Sequence, residues 1–177
     1  MSWFSRRDML GAAVTAGAAL GAAAVAQAEP KQETKQLPIQ NMKKTTPNAT
    51  LYHCDFGDAG RFSQQLRNIS NHLAVYNNDP HALKIVIVAH SAGIKFFLKD
   101  LADTPWAFEA PLDPKLVERM QALSSHGVEV YLCKVTFSTL NIDPAKARAD
   151  EYITFVPSGI AAAAALQGQG FSYLKVG

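Results

Sequence analysis

Leu83-Lys-Ile-Val-Ile-Val-Ala89 is the stretch whose reading decides the fold: six of its seven residues are apolar, and four are β-branched. A short run that is apolar on both faces suits a strand at the centre of a parallel sheet, covered by helices on either side. It ends in His90-Ser-Ala-Gly93, where a strand gives way to a turn. Upstream, Thr50-Leu-Tyr-His-Cys54 reads as a first strand, and Asp55-Phe-Gly-Asp-Ala-Gly60 as the tight loop that follows it. Phe62, Leu66, Ile69, Leu73 and Tyr76 then mark one apolar face of a helix, which Asn77-Asn-Asp-Pro80 stops.

Downstream the alternation repeats. Ile94, Phe97, Leu98 and Leu101 keep helical spacing, and a loop with Trp106 and Phe108 follows over 103–111. Asp113-Pro114 opens a helix with apolar Leu116, Val117, Met120 and Leu123, closed near Gly127. Val128-Glu-Val-Tyr-Leu132 is a third strand, ending in Cys133. Phe137 reads as part of a loop, and Asp143-Pro144 opens another short helix. Glu151–Val156 is a fourth strand. An Ala-rich helix over 157–166 and a short strand over 171–176 complete the order. Strands and helices in strict alternation predict a three-layer α/β/α domain with a parallel sheet of about five strands.

The 177 residues are 48% hydrophobic and 18% charged with a formal charge of +2, an ordinary profile for one domain. That balance, without a basic stripe interleaved with aromatics, predicts no nucleic-acid partner. Residues 1–28 read as an export signal: Ser5-Arg6-Arg7, a soft Ala/Gly-rich run over 10–26, then Ala26-Gln27-Ala28 as a cleavage site. The Arg pair reads as a twin-arginine signal, with an ordinary Sec signal as the alternative, so the expected location is periplasmic, with no membrane association after cleavage. Residues 29–48, with Pro30, Pro38 and Pro47, read as a linker and irregular lead-in, leaving 49–177 as the folded domain.

These segments resemble, in order and spacing, the DsrE/DsrF-like family. The matching pieces are Asp55-Phe-Gly-Asp58, Leu66–Leu73, Ile85–His90, Gly127–Cys133, Val156-Pro-Ser-Gly159 and Leu166–Leu174. The resemblance implies a five-stranded parallel sheet and a homo-oligomer, trimer or hexamer, or a hetero-oligomer with related subunits. It also implies a role in sulfur metabolism. In the sulfur-relay members a cysteine at the end of the third strand carries sulfur as a persulfide, and Cys133 holds the matching position. Those members work in the cytoplasm, whereas this chain carries an export signal.

Ligands in open parallel sheets gather beyond the carboxyl ends of the strands. Cys133 is therefore the candidate sulfur carrier. A thiol must ionise to act, its ordinary pKa is about 8.5, and cationic or helix-N-terminal surroundings promote ionisation. His90, at the end of the second strand, is the candidate acid/base group. Ser158 and Gly159, at the start of a helix, and Ser91, in a turn, are candidate anion-binding residues for a small sulfur-containing anion. Ala89 precedes His90-Ser-Ala-Gly93 where a nucleophile elbow needs Gly, so a serine hydrolase is not expected.

Cys54 also ends a strand. The two cysteines can bridge only if their strands are neighbours, and the family's strand order would place the second strand between them. No dinucleotide fingerprint or P-loop occurs, so no cofactor is expected. His53, His72, His81 and His126 show no metal-binding spacing, so no metal is expected. Asp55 and Asp58 have the chemistry to hold a metal or orient a partner, but read chiefly as loop and capping residues. Trp106, Phe108 and Phe137 read as pocket or oligomer-contact residues on loops. No catalytic constellation is complete, so a binding or assembly module for a small anion or partner protein stands beside the sulfur carrier.

Overall fold

The computed structural model describes residues 35–177. The expected export signal and residues 29–34 lie outside the described residues. Five strands form one all-parallel sheet: β1 (Asn48–Cys54), β2 (Leu83–Ala89), β3 (Glu129–Cys133), β4 (Ile153–Val156) and β5 (Ser172–Lys175). Their order is β4-β3-β2-β1-β5, so the apolar run that opened the sequence reading is the central strand. Four α-helices accompany them: α1 (Ala59–Val75), α2 (Pro114–Ser124), α3 (Lys134–Thr139) and α4 (Gly159–Gly168). The layered α/β/α architecture is the one expected.

Helix boundaries follow from local chemistry. Asp58 accepts from the Arg61 amide at 2.7 Å and caps α1. Asp113 accepts from the Lys115 amide at 2.9 Å, with Pro114 in the first turn of α2. Ser158 accepts from the Ala161 amide at 3.3 Å and caps α4.

Each strand sends alternate side chains to opposite faces. On one face Ile85, Ile87, Val130, Leu132 and Phe155 pack against Phe62, Leu66 and Ile69 of α1 and Met120 of α2. On the other, Leu51, Val86, Val88, Tyr131 and Val156 pack against Ala162, Ala163 and Leu166 of α4. Among the described residues no helix is long and apolar enough to cross a membrane.

Three segments depart from the sequence expectations. After β2 the chain forms a 3₁₀ helix, Ser91–Phe97, in place of an α-helix. Ile94, Phe96, Phe97 and Leu98 are all buried there, and an α-helical face cannot turn four such closely spaced residues inward. Phe137 belongs to α3, not to a loop, and is a core residue packed edge-on against Phe155 with centroids 5.0 Å apart. The lead-in docks on the sheet from Lys35 onward. Leu37 donates to the Phe155 carbonyl at 2.9 Å, the Phe155 amide donates to Lys35 at 2.8 Å, and Met42 is buried. These bonds cover the outer edge of β4, which would otherwise expose unpaired backbone groups.

Candidate functional site

The face covered by α4 continues past the apolar core into a row of reactive side chains. His53 follows Leu51 by two residues, His90 follows Val88 by two, and Cys133 follows Tyr131 by two. The period-two rule therefore puts all three on the α4 face at the carboxyl edge. Lys175 pairs with His53 and Tyr173 with Leu51, so both belong to the same face. The residues come from β1, from the end of β2, and from β3 and β5, and the sheet order aligns them.

Helix α4 comes down on this row because its first residue has no side chain. A Cβ on Gly159 would lie 3.0 Å from the His90 Cβ and 3.2 Å from the Cys133 Cβ. Glycine thus permits backbone contact between the helix N-terminus and the row. The first amides of a helix lack intrahelical partners, and such ends favour anions. The Ser158 hydroxyl is occupied by its cap to Ala161.

Of the candidates read from sequence, Cys133, His90, Ser158 and Gly159 come together here. Cys133 is a free thiol at the last rung of β3, with 4% of its surface exposed. Ser91 lies at the rim of the row. It adopts a left-handed φ of 49°, its amide donates to the Thr136 hydroxyl at 3.0 Å, and its hydroxyl contacts His90 Nδ1 at 3.1 Å. Cys54 is a free thiol as well, fully buried on the opposite face, with β2 between its strand and that of Cys133. Burial, together with the Asp55 charge, pushes the Cys54 thiol far up. Asp58 caps α1 and takes no part in the row.

Trp106 is partly buried against the core, while Phe108 is fully exposed. Two grooves lie away from the row: one of about 600 Å³ beside Leu98, Leu101 and Leu112, and one of about 620 Å³ between the lead-in and Lys84, Glu129 and Tyr131.

The sequence reading did not single out His53, Tyr173 or Lys175 for this row, and it weighed Asp55 chiefly as a loop residue. His53 Nε2 lies 2.5 Å from His90 Nε2, and His53 Nδ1 lies 2.6 Å from the Tyr173 hydroxyl. The Lys175 ammonium donates to Asp55 at 2.6 Å. His53, Asp55 and His90 offer ligand atoms that all lie within 4.8 Å of one another. Only the alternation of β1, with a histidine two residues beyond Leu51, hinted at His53. Nothing local linked it to His90, 37 residues later.

Electrostatics at this cluster favours uncharged imidazoles. Burial lowers the His53 pKa, and the nearby His90 and Lys175 charges lower it further against the pull of Asp55. Burial lowers His90 likewise, with Lys175 adding to the effect and Asp55 opposing it. Burial opposes the Asp55 charge, but the Lys175 hydrogen bond and the neighbouring His53 outweigh it and hold the carboxyl low.

This architecture, with a thiol ending the third of five parallel strands, is that of an α/β protein with reactive side chains gathered at the carboxyl edge of its sheet. The DsrE/DsrF-like family matches residues 56–176. The chain belongs to that family, which supports a role related to sulfur metabolism. No curated protein sequence matches it. Among solved structures it is similar to a protein of unknown function from Methanobacterium thermoautotrophicum. The identity is 20%, with 72% of this chain and 98% of that chain covered, at a TM-score of 0.56. That likeness concerns the fold.

Proposed function

We propose that this protein is exported, assembles as an oligomer of the trimer or hexamer kind, and binds or transfers a sulfur species through Cys133. The observation that carries the reading is the position of Cys133: a free thiol on the last rung of β3, beside His90 and against the N-terminus of α4. Membership of the DsrE/DsrF-like family supports the sulfur chemistry. In the loading step the Cys133 sulfur attacks the terminal sulfur of a polysulfide. A new S–S bond forms on Cys133, the adjacent S–S bond of the donor breaks, and the shortened polysulfide leaves with the electron pair. The thiol proton passes to solvent. The N-terminus of α4 suits the negative charge of such a species. His90 has no assigned proton transfer in this step, because its ring nitrogens face Ser91 and His53.

A second reading rests on the 4% exposure of Cys133. Here the thiol is packing, and the edge holds an anion or partner protein without covalent chemistry. Intact-mass measurement after incubation with polysulfide separates the two. Addition of sulfur atoms to the native protein, absent in Cys133→Ala, is the expected result. No adduct on folded native protein, with Cys133 also resistant to alkylation, would establish the non-covalent module instead.

A further inference from the structure

The His53–His90 contact has an electrostatic peculiarity. Each imidazole offers its Nδ1 to a hydroxyl, Tyr173 at 2.6 Å for His53 and Ser91 at 3.1 Å for His90. If both Nδ1 atoms carry the proton and donate, both Nε2 atoms are unprotonated, and their lone pairs meet at 2.5 Å. That arrangement is repulsive unless a cation lies between them. Asp55 brings a carboxylate to the same point, and Lys175 orients it through one oxygen.

We propose that His53, His90 and Asp55 form a binding site for a divalent transition-metal cation of the zinc type, with an open coordination position toward solvent. Two imidazoles and a carboxylate are a donor set suited to such ions, and three protein ligands leave room for water or an anion. The surroundings match what metal-binding histidines require. A metal-bound histidine usually donates its second ring N–H to a fixed partner, and Tyr173 and Ser91 occupy those places. Two nitrogens on one tetrahedral zinc stand roughly 3.3 Å apart, from Zn–N bonds of about 2.0–2.1 Å. Binding therefore needs the two rings to part by less than about 1 Å. Asp55 and His90 are partly exposed, which leaves an entry path, while His53 is buried and fixed.

The alternative occupant is a single proton, shared as an Nε2–H···Nε2 bond with one Nδ1 accepting from its hydroxyl. The test is calorimetric titration of full-length, untagged, chelator-treated protein with zinc, alongside absorption spectra with cobalt(II). Near-stoichiometric zinc binding and a visible cobalt spectrum with nitrogen and oxygen ligands are expected. His90→Gln and Asp55→Asn should abolish binding while far-UV circular dichroism stays unchanged. Tyr173→Phe, which keeps every ligand, should weaken affinity by about 10–100-fold. His126→Gln, away from the row, should leave it unchanged.

No zinc uptake by folded protein would overturn the site, as would binding that survives His90→Gln and Asp55→Asn together. Binding lost in Cys133→Ala but kept in the histidine variants would overturn it by placing the metal on the thiol. The site does not depend on sulfur loading at Cys133, so either can fail alone.

Discussion

The two faces of the sheet are built differently. The face under α1 and α2 is thick and aromatic: Phe62 stacks on Phe96 with centroids 4.2 Å apart, meets Phe97 edge-on, and is 1% exposed. The face under α4 is thin, covered by a ten-residue helix of Gly, Ile, Ala, Leu and Gln and by the lead-in. Each face receives one cysteine. Cys54 is sealed beneath the 3₁₀ turn, with its thiol raised by burial, whereas Cys133 lies among polar neighbours at the edge. A small-residue helix cannot fill a deep core. It can bring its backbone down onto the strand ends, and that is where His53, His90 and Cys133 stand. The aromatic core and the row of titratable side chains lie on opposite sides of one sheet.

The sharpest way to break this contrast is to add one methyl group on each side. A Cβ at Gly93 would sit 2.0 Å from the Cys54 carbonyl oxygen, a backbone atom that cannot step aside. Gly93→Ala should cost more than about 3 kcal/mol, at the upper end of overpacking effects. At Gly159 the neighbours are side-chain carbons at 3.0–3.2 Å, which can yield by a few tenths of an ångström. There the gain in helix propensity, about 1 kcal/mol, offsets the squeeze. Gly159→Ala should therefore change stability by less than about 1 kcal/mol. Urea unfolding of both variants decides the matter, and equal costs would contradict the division of faces.

A smaller effect tests how dry the thick face is. Gln65 on α1 is fully buried, and both side-chain polar atoms lack a partner among the described residues. Leaving such groups unpaired costs about 1–3 kcal/mol. Gln65→Met, similar in shape and without those atoms, should stabilise the protein by about 1–2 kcal/mol, visible as a raised melting temperature. A fall would mean that the amide meets a partner in the assembled protein.

The smallest effect concerns His72, which contacts the Tyr52 hydroxyl at 3.2 Å on the same face. Burial holds its pKa below the ordinary histidine value. The unfolded chain then binds the proton first as pH falls. The contribution of His72 is full above about pH 6.5 and is lost as pH drops through the lowered folded value. Unfolding midpoints measured between pH 7.5 and 5 should fall, and the fall should be shallower in His72→Gln.

The layered fold was legible because it rests on local signals. The β-branched run of β2, the period-two strands and the Asp58, Asp113 and Ser158 caps each state their own conformation within a few residues. Cys133 was legible for the same reason, as the residue that closes an apolar strand. The 3₁₀ turn and the core position of Phe137 were not, since both depend on what lies opposite them. The docked lead-in was hidden too: its bonds run to Phe155, far along the chain.

The sequence by itself determined the five strands and helices α1, α2 and α4, that the sheet is parallel, and that a thiol ends β3. Alternation and capping are properties of neighbours in the chain, so those features needed no knowledge of the whole. Only the tertiary structure decided that β5 lies beside β1, β1 beside β2, and β2 beside β3. That adjacency turns residues 53, 90, 133 and 175 into one row. Metal-like geometry at His53, Asp55 and His90 arises from the register of two strands and the lean of two side chains, and no spacing along the chain encodes it.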